Sequence, residues 1–188
     1  MSLDTLSTLN SETEKKDFSG GKSLAFVNYI IKRCQGDKGI KAALKRADNP
    51  STEYQSWEIL AGFRIDLDDD GQRLPYVIIA AAISRTEVEV NGKVRIGKAI
   101  AQAYPEGNKS DQAKSKLRRL LACDSLTEVA RILRPLLRLI ESRSSSRLDY
   151  ARLLDELLWF GNDASRIRIK ARWAQDFYGG SREEEGNG

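Results

Sequence analysis

The 188-residue sequence contains no histidine. Histidine is the side chain whose ordinary pKa lies closest to neutral pH, so its absence removes the commonest general base. It also excludes serine–histidine and cysteine–histidine nucleophile pairs and metal sites that need an imidazole ligand. Carboxylate or lysine chemistry stays open, but the absence of histidine makes an enzyme less expected, and we predict a non-enzyme with no catalytic residues, no cofactor and no metal ion.

Cysteines and long hydrophobic runs are also scarce. The two cysteines, Cys34 and Cys123, lie far apart and in no metal-ligand spacing, which favours free buried thiols. The longest apolar run, at 76–83, is well short of the roughly 20 residues that span a bilayer. The first twenty residues lack the basic and apolar regions of a signal peptide. These features predict a cytoplasmic protein with no membrane partner.

What the sequence does have is helical periodicity. Hydrophobic residues make up 40% of the chain and charged residues 31%, as in folded globular proteins. Apolar residues recur at helical spacing between about 21 and 178, which predicts an all-α bundle of about eight or nine helices. Two small helical lobes, at about 21–107 and 108–178, are the alternative arrangement of this domain. Residues 1–20 and 179–188 are predicted to be a disordered leader and a disordered acidic tail.

Two segments depart from the helical pattern. Alternating residues around Asn91-Gly92 predict a short hairpin-like surface loop near 86–96. The acidic loop at 66–70 begins like a calcium-binding loop, but the twelfth position is Val77 rather than a bidentate glutamate. We therefore interpret 66–70 as an acidic turn in solvent, and the roles of both segments stay open.

The segment at 92–99 imitates a phosphate-binding loop. The last position of such a loop supplies a hydroxyl to the magnesium ion, and Ala99 has none. Nucleotide hydrolysis is therefore excluded.

Several aromatic side chains could stack on nucleobases. They lie at helical spacing among leucine and alanine, which favours packing in the core. These residues are Tyr54, Trp57, Trp159, Phe160, Trp173, Phe177 and Tyr178.

Positive charge is concentrated in the C-terminal part of the chain. Residues 109–178 contain 15 Lys and Arg against 9 Asp and Glu, a local net charge of +6. Such a concentration suggests a polyanionic partner. The strongest element is a helix opened by a capping box at 125–128, on which Arg131, Arg134 and Arg138 fall within about 60° of one another, away from the apolar face. Arg118 and Arg119 add charge on the preceding helix.

This arginine stripe has two interpretations. The planar guanidinium donates two hydrogen bonds to a pair of phosphate oxygens, which suits a nucleic-acid backbone. The alternative is an ordinary solvated face whose charge is partly neutralised by Glu128, Glu141 and Asp155.

Four segments occur in the order found in a known family. They are 44–46 (LKR), 96–101 (IGKAIA), 116–122 (KLRRLLA) and 148–178, which begins LDY and ends RWAQDFY. Through these segments the chain resembles CasB, the small subunit of the type I-E CRISPR Cascade complex, from about Phe26 to Tyr178.

The resemblance implies a helical, non-catalytic protein that assembles with a second copy of itself on a guide RNA complex. It implies contacts with two other Cascade subunits, the backbone subunit CasC and the large subunit CasA. It also implies a basic surface that holds the displaced non-target strand of the target DNA and so stabilises the R-loop. The family's DNA-contacting positions fall on Lys45, Arg46, Arg73, Lys98 and Arg134. With the basic helices added, the candidate nucleic-acid-binding residues are Lys45, Arg46, Arg73, Lys98, Arg118, Arg119, Arg131, Arg134 and Arg138.

Two other functions stay open at this point. A free-standing helical DNA-binding regulator would need a short recognition unit with base-edge contacts, and no helix-turn-helix spacing is evident. A protein–protein adaptor would use the same charges on acidic partners and would bind them equally well after nuclease treatment.

Overall fold

The structure, a computed structural model, describes residues 20–145 and 147–179. These residues form nine α-helices and two 3-10 helices and contain no β-strand, which confirms the all-α prediction. The predicted leader and acidic tail lie outside the described residues, apart from Gly20 and Gly179 at their inner ends. The α-helices are α1 (Gly20–Gly36), α2 (Lys38–Arg46), α3 (Trp57–Gly62), α4 (Asp70–Ser84), α5 (Ile96–Gln102), α6 (Asp111–Leu121), α7 (Leu126–Arg143), α8 (Tyr150–Leu158) and α9 (Asp163–Tyr178), and the 3-10 helices are Pro50–Ser56 and Gly107–Lys109.

Short polar side chains fix where most of these helices begin. In α7 the Ser125 side chain accepts from the Glu128 N–H while the Glu128 carboxylate accepts from the Ser125 N–H, which confirms the capping box. Elsewhere one side-chain oxygen accepts from a first-turn N–H that would otherwise have no partner. The residues that cap in this way are Asp37, Asn49, Asp69, Ser110, Asp149 and Asn162.

The core is one continuous cluster to which helices from both ends of the chain contribute. Helix α1 packs on α8, α4 packs on α2, α7 and α8, and α5 packs on α9. Phe26 and Tyr76 meet edge to face with ring centroids 4.6 Å apart, and Phe160 stacks on Trp173 at 5.7 Å. The division into lobes near residue 107 stays a prediction. None of the helices in the described part of the chain is long and apolar enough to cross a membrane.

Helix α4 begins earlier than its proline suggests. Pro75 would be an ordinary first residue of a helix, yet it lies inside α4. The helix begins at Asp70 because the Asp69 side chain accepts from the Gly71 N–H over 2.8 Å. Two residues of the acidic segment at 66–70 thus belong to the helix start, with Asp69 as the cap and Asp70 as the first residue. Among the described residues, no group of three or more acidic or cysteine side chains is placed to hold a metal ion.

The loop expected near 86–96 is present, but it does not form a hairpin. Val94 instead pairs in parallel with Leu148, so the main chain of this segment is satisfied by the loop before α8. Asn91 accepts the N–H groups of Tyr150 and Ala151, which adds a cap to α8. A Cβ at Gly92 would lie 2.0 Å from the Arg147 carbonyl oxygen. The Asn-Gly pair therefore marks a close approach between two segments rather than a two-residue turn.

The glycine in the middle of the 96–101 segment has a packing role. A Cβ at Gly97 would lie 2.1 Å from the Trp173 carbonyl oxygen and 2.9 Å from the Phe177 main-chain nitrogen. Only glycine lets α5 approach the backbone of α9 this closely. The adjacent Lys98 is exposed on the outer side of the contact.

Candidate nucleic-acid interface

Two of the predicted DNA-binding arginines share one buried carboxylate. Arg73 donates from Nε to Glu53 Oε1 over 2.9 Å, and Arg134 donates from Nη2 to Glu53 Oε2 over 3.2 Å. Glu53 lies in the 3-10 helix Pro50–Ser56, which is called the 3-10 helix from here on. Its carboxylate therefore joins α4 and α7 to that segment. Arg73 also pairs with Asp70 and donates to the Leu67 carbonyl. Burial by itself would lower the pKa of Arg73, but the hydrogen bonds and charges of Glu53 and Asp70 together raise it.

A second buried carboxylate, Asp48, binds two more arginines. Arg138 donates from Nε to Asp48 Oδ2 over 2.6 Å, and Arg85 Nη1 lies 3.0 Å from the same oxygen in an ion pair without hydrogen-bond alignment. Arg85 also forms a two-bond pair with Glu141, with distances of 2.8 and 3.0 Å. Burial raises the pKa of Glu141, and the neighbouring Arg85 opposes that rise.

These ion pairs form two groups, around Glu53 and around Asp48, and a hydrogen bond from Arg134 to the Asp48 carbonyl joins them. Together they link the turn after α2, the 3-10 helix, α4 and α7. We call this set the interhelical ion-pair network. Its positive and negative members are equal in number, so it adds no net charge to the surface. The network consists of Arg73, Arg85, Arg134, Arg138, Asp48, Glu53, Asp70 and Glu141.

The network corrects the predicted arginine stripe. Arg134 does not face solvent, because its side chain is only 8% exposed and binds Glu53 and the Asp48 carbonyl. Helix α7 buries Ala130, Arg134 and Leu137 beside its main apolar face, and the Arg134 guanidinium reaches Glu53 in the 3-10 helix. The Arg138 side chain is 56% exposed but is bound to Asp48. Of the stripe, Arg131 alone is exposed with no salt bridge to any residue that the structure describes.

Other candidate cations lie near this network and are exposed. Lys45 and Arg46 end α2, directly before the buried Asp48. Arg46 donates from Nε to Gln55 Oε1 over 2.6 Å, which holds its guanidinium beside the 3-10 helix without neutralising it. Neither residue forms a salt bridge within the described part of the chain. Lys45 and Arg46 thus lie at the same corner of the fold as Arg73, Arg134 and Arg138, and Arg131 lies one helical turn before Arg134.

The remaining candidates lie on other helices. Lys98 is on α5, and Arg118 and Arg119 are in the last turn of α6. All three are exposed, and none forms a salt bridge with a residue that the structure describes. Helix α5 contacts α6, so the three cations lie on neighbouring helices. The exposed candidates that form no salt bridge with a described residue are therefore Lys45, Arg46, Lys98, Arg118, Arg119 and Arg131.

Sequence reasoning missed a cleft beside the network. This cleft has a volume of about 650 Å³ and lies between the 3-10 helix, the first turns of α4, and α7. Tyr54 and Trp57, predicted to be core residues, line it with 59% and 40% of their surface exposed. Trp159 and Tyr178 are also exposed, whereas Phe160, Trp173 and Phe177 are buried as predicted. In the sequence, the signal at this cleft is two aromatic residues three positions apart, Tyr54 and Trp57, and this spacing does not show whether their rings are exposed.

One known protein family matches most of the residues that the structure describes. Residues 41–178 match the family model described as CRISPR-associated protein Cse2. The chain belongs to the Cse2 family. The match spans α2 to α9 and therefore includes every candidate cation and the cleft. The resemblance drawn from the sequence is confirmed.

Solved structures of CasB share this Cse2-family fold. CasB from M. ruber superposes with a TM-score of 0.70 at 25% identity, covering 87% of this chain and 96% of that one. CasB from Thermus thermophilus gives 0.62 at 23% identity, with coverages of 86% and 99%. CasB from Thermobifida fusca gives 0.61 at 17% identity, with coverages of 84% and 98%. No curated protein sequence matches the chain.

Proposed function

We propose that this Cse2-family chain is a non-catalytic structural subunit of an RNA-guided type I-E CRISPR surveillance complex. Its exposed cations bind the displaced non-target DNA strand and stabilise the R-loop. One observation carries the proposal: six of the nine candidate cations are exposed and have no salt bridge within the described residues. Cations without an internal counter-ion are the ones left to bind phosphate.

The energetics of R-loop formation suit such a surface. Pairing guide RNA with one DNA strand forms a duplex about as stable as the DNA duplex it replaces, so protein contacts to the strands can decide the balance. The released strand differs for every target, and a protein that holds it must tolerate any sequence. Lys and Arg reach phosphates without reading bases, so they meet this requirement.

The proposed partners follow from the same role. They are the backbone subunit CasC, the large subunit CasA, the guide RNA complex and a second copy of the chain, in the cytoplasm. Two copies in tandem would lengthen the basic surface along the strand and raise its effective affinity.

The proposal is tested by removing charge from one corner of the fold. Replacing Lys45, Arg46 and Arg131 with glutamine is expected to weaken binding of single-stranded DNA. The log–log dependence of affinity on salt should lose about 0.7 per phosphate contact removed. In the reconstituted complex, fewer R-loops should persist, so permanganate should oxidise fewer unpaired thymines of the displaced strand.

The matched control removes the same charge from α1. Lys22, Lys32 and Arg33 are exposed and form no salt bridge in the described part of the chain. An equal loss of affinity in K22Q/K32Q/R33Q would mean that net charge matters and the corner does not. A corner variant that binds single strands normally but fails to join the complex would favour a protein adaptor instead.

A further inference from the structure

The cleft beside the network combines flat aromatic rings with a cation at its edge. Tyr54 and Trp57 are among the most exposed large hydrophobic side chains that the structure describes. Its volume of about 650 Å³ lies within the range of small-molecule sites, about 300 to 1,000 Å³. A monomeric protein gains nothing in stability by leaving two such rings in water, so the cleft suits an external ligand.

The local backbone places both rings on the same side. A 3-10 helix has three residues per turn, so side chains three positions apart superpose. The Trp57 N–H donates to the Tyr54 carbonyl, which continues this geometry to the end of the segment. The Arg73 guanidinium lies 6.0 Å from the centroid of the Trp57 ring, at the outer limit of a cation–π contact. Arg73 is itself bound to Glu53 over 2.9 Å, so the guanidinium beside the Trp57 ring is fixed in place.

The charge around the cleft selects the ligand. The two acidic residues that line it, Glu53 and Asp70, are neutralised by Arg73 and Arg134. Arg131 also lines it and has no salt bridge to a described residue. The uncompensated charge at the cleft is therefore positive, which complements an anionic ligand and disfavours a basic peptide.

We propose that this cleft is a stacking site for the bases of single-stranded nucleic acid. Tyr54 and Trp57 contact the base faces, and Arg131 binds the adjoining phosphate. This deepens the proposed function and rests on it, because the strand concerned is the displaced DNA strand. Stacking tolerates any base, since every base has an aromatic face. It also supplies affinity that salt does not screen, unlike the phosphate contacts of the exposed cations.

The test compares two ligands of equal length and charge. One is a single-stranded thymidine oligonucleotide, and the other is an abasic oligonucleotide with the same phosphates. Replacing Trp57 with leucine keeps an apolar side chain but removes the ring face. W57L is expected to bind the thymidine strand roughly 5- to 100-fold more weakly and the abasic strand as wild type does. W57F should restore most of the loss, and the salt dependence should not change in either variant.

Two controls distinguish failure of the stacking site from failure of the proposed function. Trp159 is exposed to a similar degree, 44%, and does not line the cleft, so W159L should bind both strands as wild type does. If wild type binds neither strand, free or in the complex, the proposed function itself fails. If wild type binds the thymidine strand and W57L binds it equally well, the stacking site alone is refuted. Loss of complex assembly in W57L with unchanged oligonucleotide affinity would assign the cleft to a protein partner.

Discussion

Arg134 donates from Nη1 to the main-chain carbonyl of Asp48 over 3.0 Å, joining α7 to the end of α2 across 86 residues of sequence. The same guanidinium binds Glu53, and both side chains are at most 10% exposed. Removing Arg134 would leave the buried Glu53 with Arg73 as its remaining cation and only part of its charge balanced. Arg134 is thus a structural residue, although the sequence assigns it to the DNA-binding surface.

The first prediction concerns the two neighbouring arginines of α7. Replacing Arg134 with alanine should lower the free energy of unfolding by about 3 kcal/mol, because Glu53 loses one of its two cations. Replacing Arg131 with alanine should change it by less than about 0.5 kcal/mol, because that side chain is exposed. Urea denaturation at neutral pH measures both. An R134A protein as stable as wild type would contradict the structural role.

Arg131 and Arg134 show which structural features the sequence could predict and which it could not. The helices, the capping box and the buried C-terminal aromatics depend on local spacing, and the structure confirms them. The network depends on contacts between residues such as Glu53 and Arg134, 81 positions apart. A helical periodicity reports which side chains share a face and not which other segment covers it. The sequence does not predict the exposure of Trp57 for the same reason. The residues around Trp57 do not show whether another segment of the chain covers its ring.

The second prediction concerns the contact between α5 and α9. Alanine at Gly97 would place a Cβ 2.1 Å from the Trp173 carbonyl oxygen, and backbone cannot move aside cheaply. We expect G97A to be destabilised by about 1 to 3 kcal/mol. Gly21 in α1 is the matched control, because its added Cβ would meet nothing within 4 Å. G21A should be neutral or slightly more stable, by up to about 1 kcal/mol. Thermal unfolding of the two variants decides the matter, and equal losses would argue against a close helix contact.

The third prediction concerns how the contribution of Glu156 to stability depends on pH. This carboxylate accepts from Trp173 Nε1 over 2.7 Å and from Arg152 over 3.2 Å. Burial raises the pKa of Glu156 above its ordinary value of 4.5, and the two hydrogen bonds oppose that rise. The folded state therefore holds the proton more tightly than the unfolded state does. The resulting stabilisation is full below the unfolded value and is lost as pH rises through the folded pKa. The stability of wild type relative to E156Q should thus increase on acidification from neutral pH.

Glu128 provides a comparison of opposite sign. Hydrogen bonds from the Asp124 and Ser125 N–H groups lower the pKa of Glu128 below 4.5. Its contribution is therefore present above the unfolded value and is lost as pH falls through the folded pKa. The stability of wild type relative to E128Q should decrease on acidification. Denaturant titrations of both variants between neutral pH and pH about 3 test the two slopes. If both stability differences changed in the same direction with pH, the pKa direction given for Glu156 or for Glu128 would be wrong.

The fourth prediction separates exposed cations that are neutralised from those that are not. Arg138 is exposed but bound to Asp48, whereas Arg118 and Arg119 have no salt bridge to a described residue. Binding a phosphate releases counter-ions only where the cation has no internal acid to hold it. Replacing Arg118 and Arg119 with glutamine should therefore lower the log–log salt slope for single-stranded DNA by about 1.4 if both contact the strand.

The same measurement on R138Q should leave the slope nearly unchanged, because Asp48 already balances that charge. A large slope change in R138Q would mean that the strand displaces Asp48 from its arginine on binding. No change in R118Q/R119Q would confine the strand to the corner formed by Lys45, Arg46 and Arg131. In that case Arg118 and Arg119 would be left to face another protein subunit, and their substitution should weaken assembly of the complex without altering DNA affinity of the free chain.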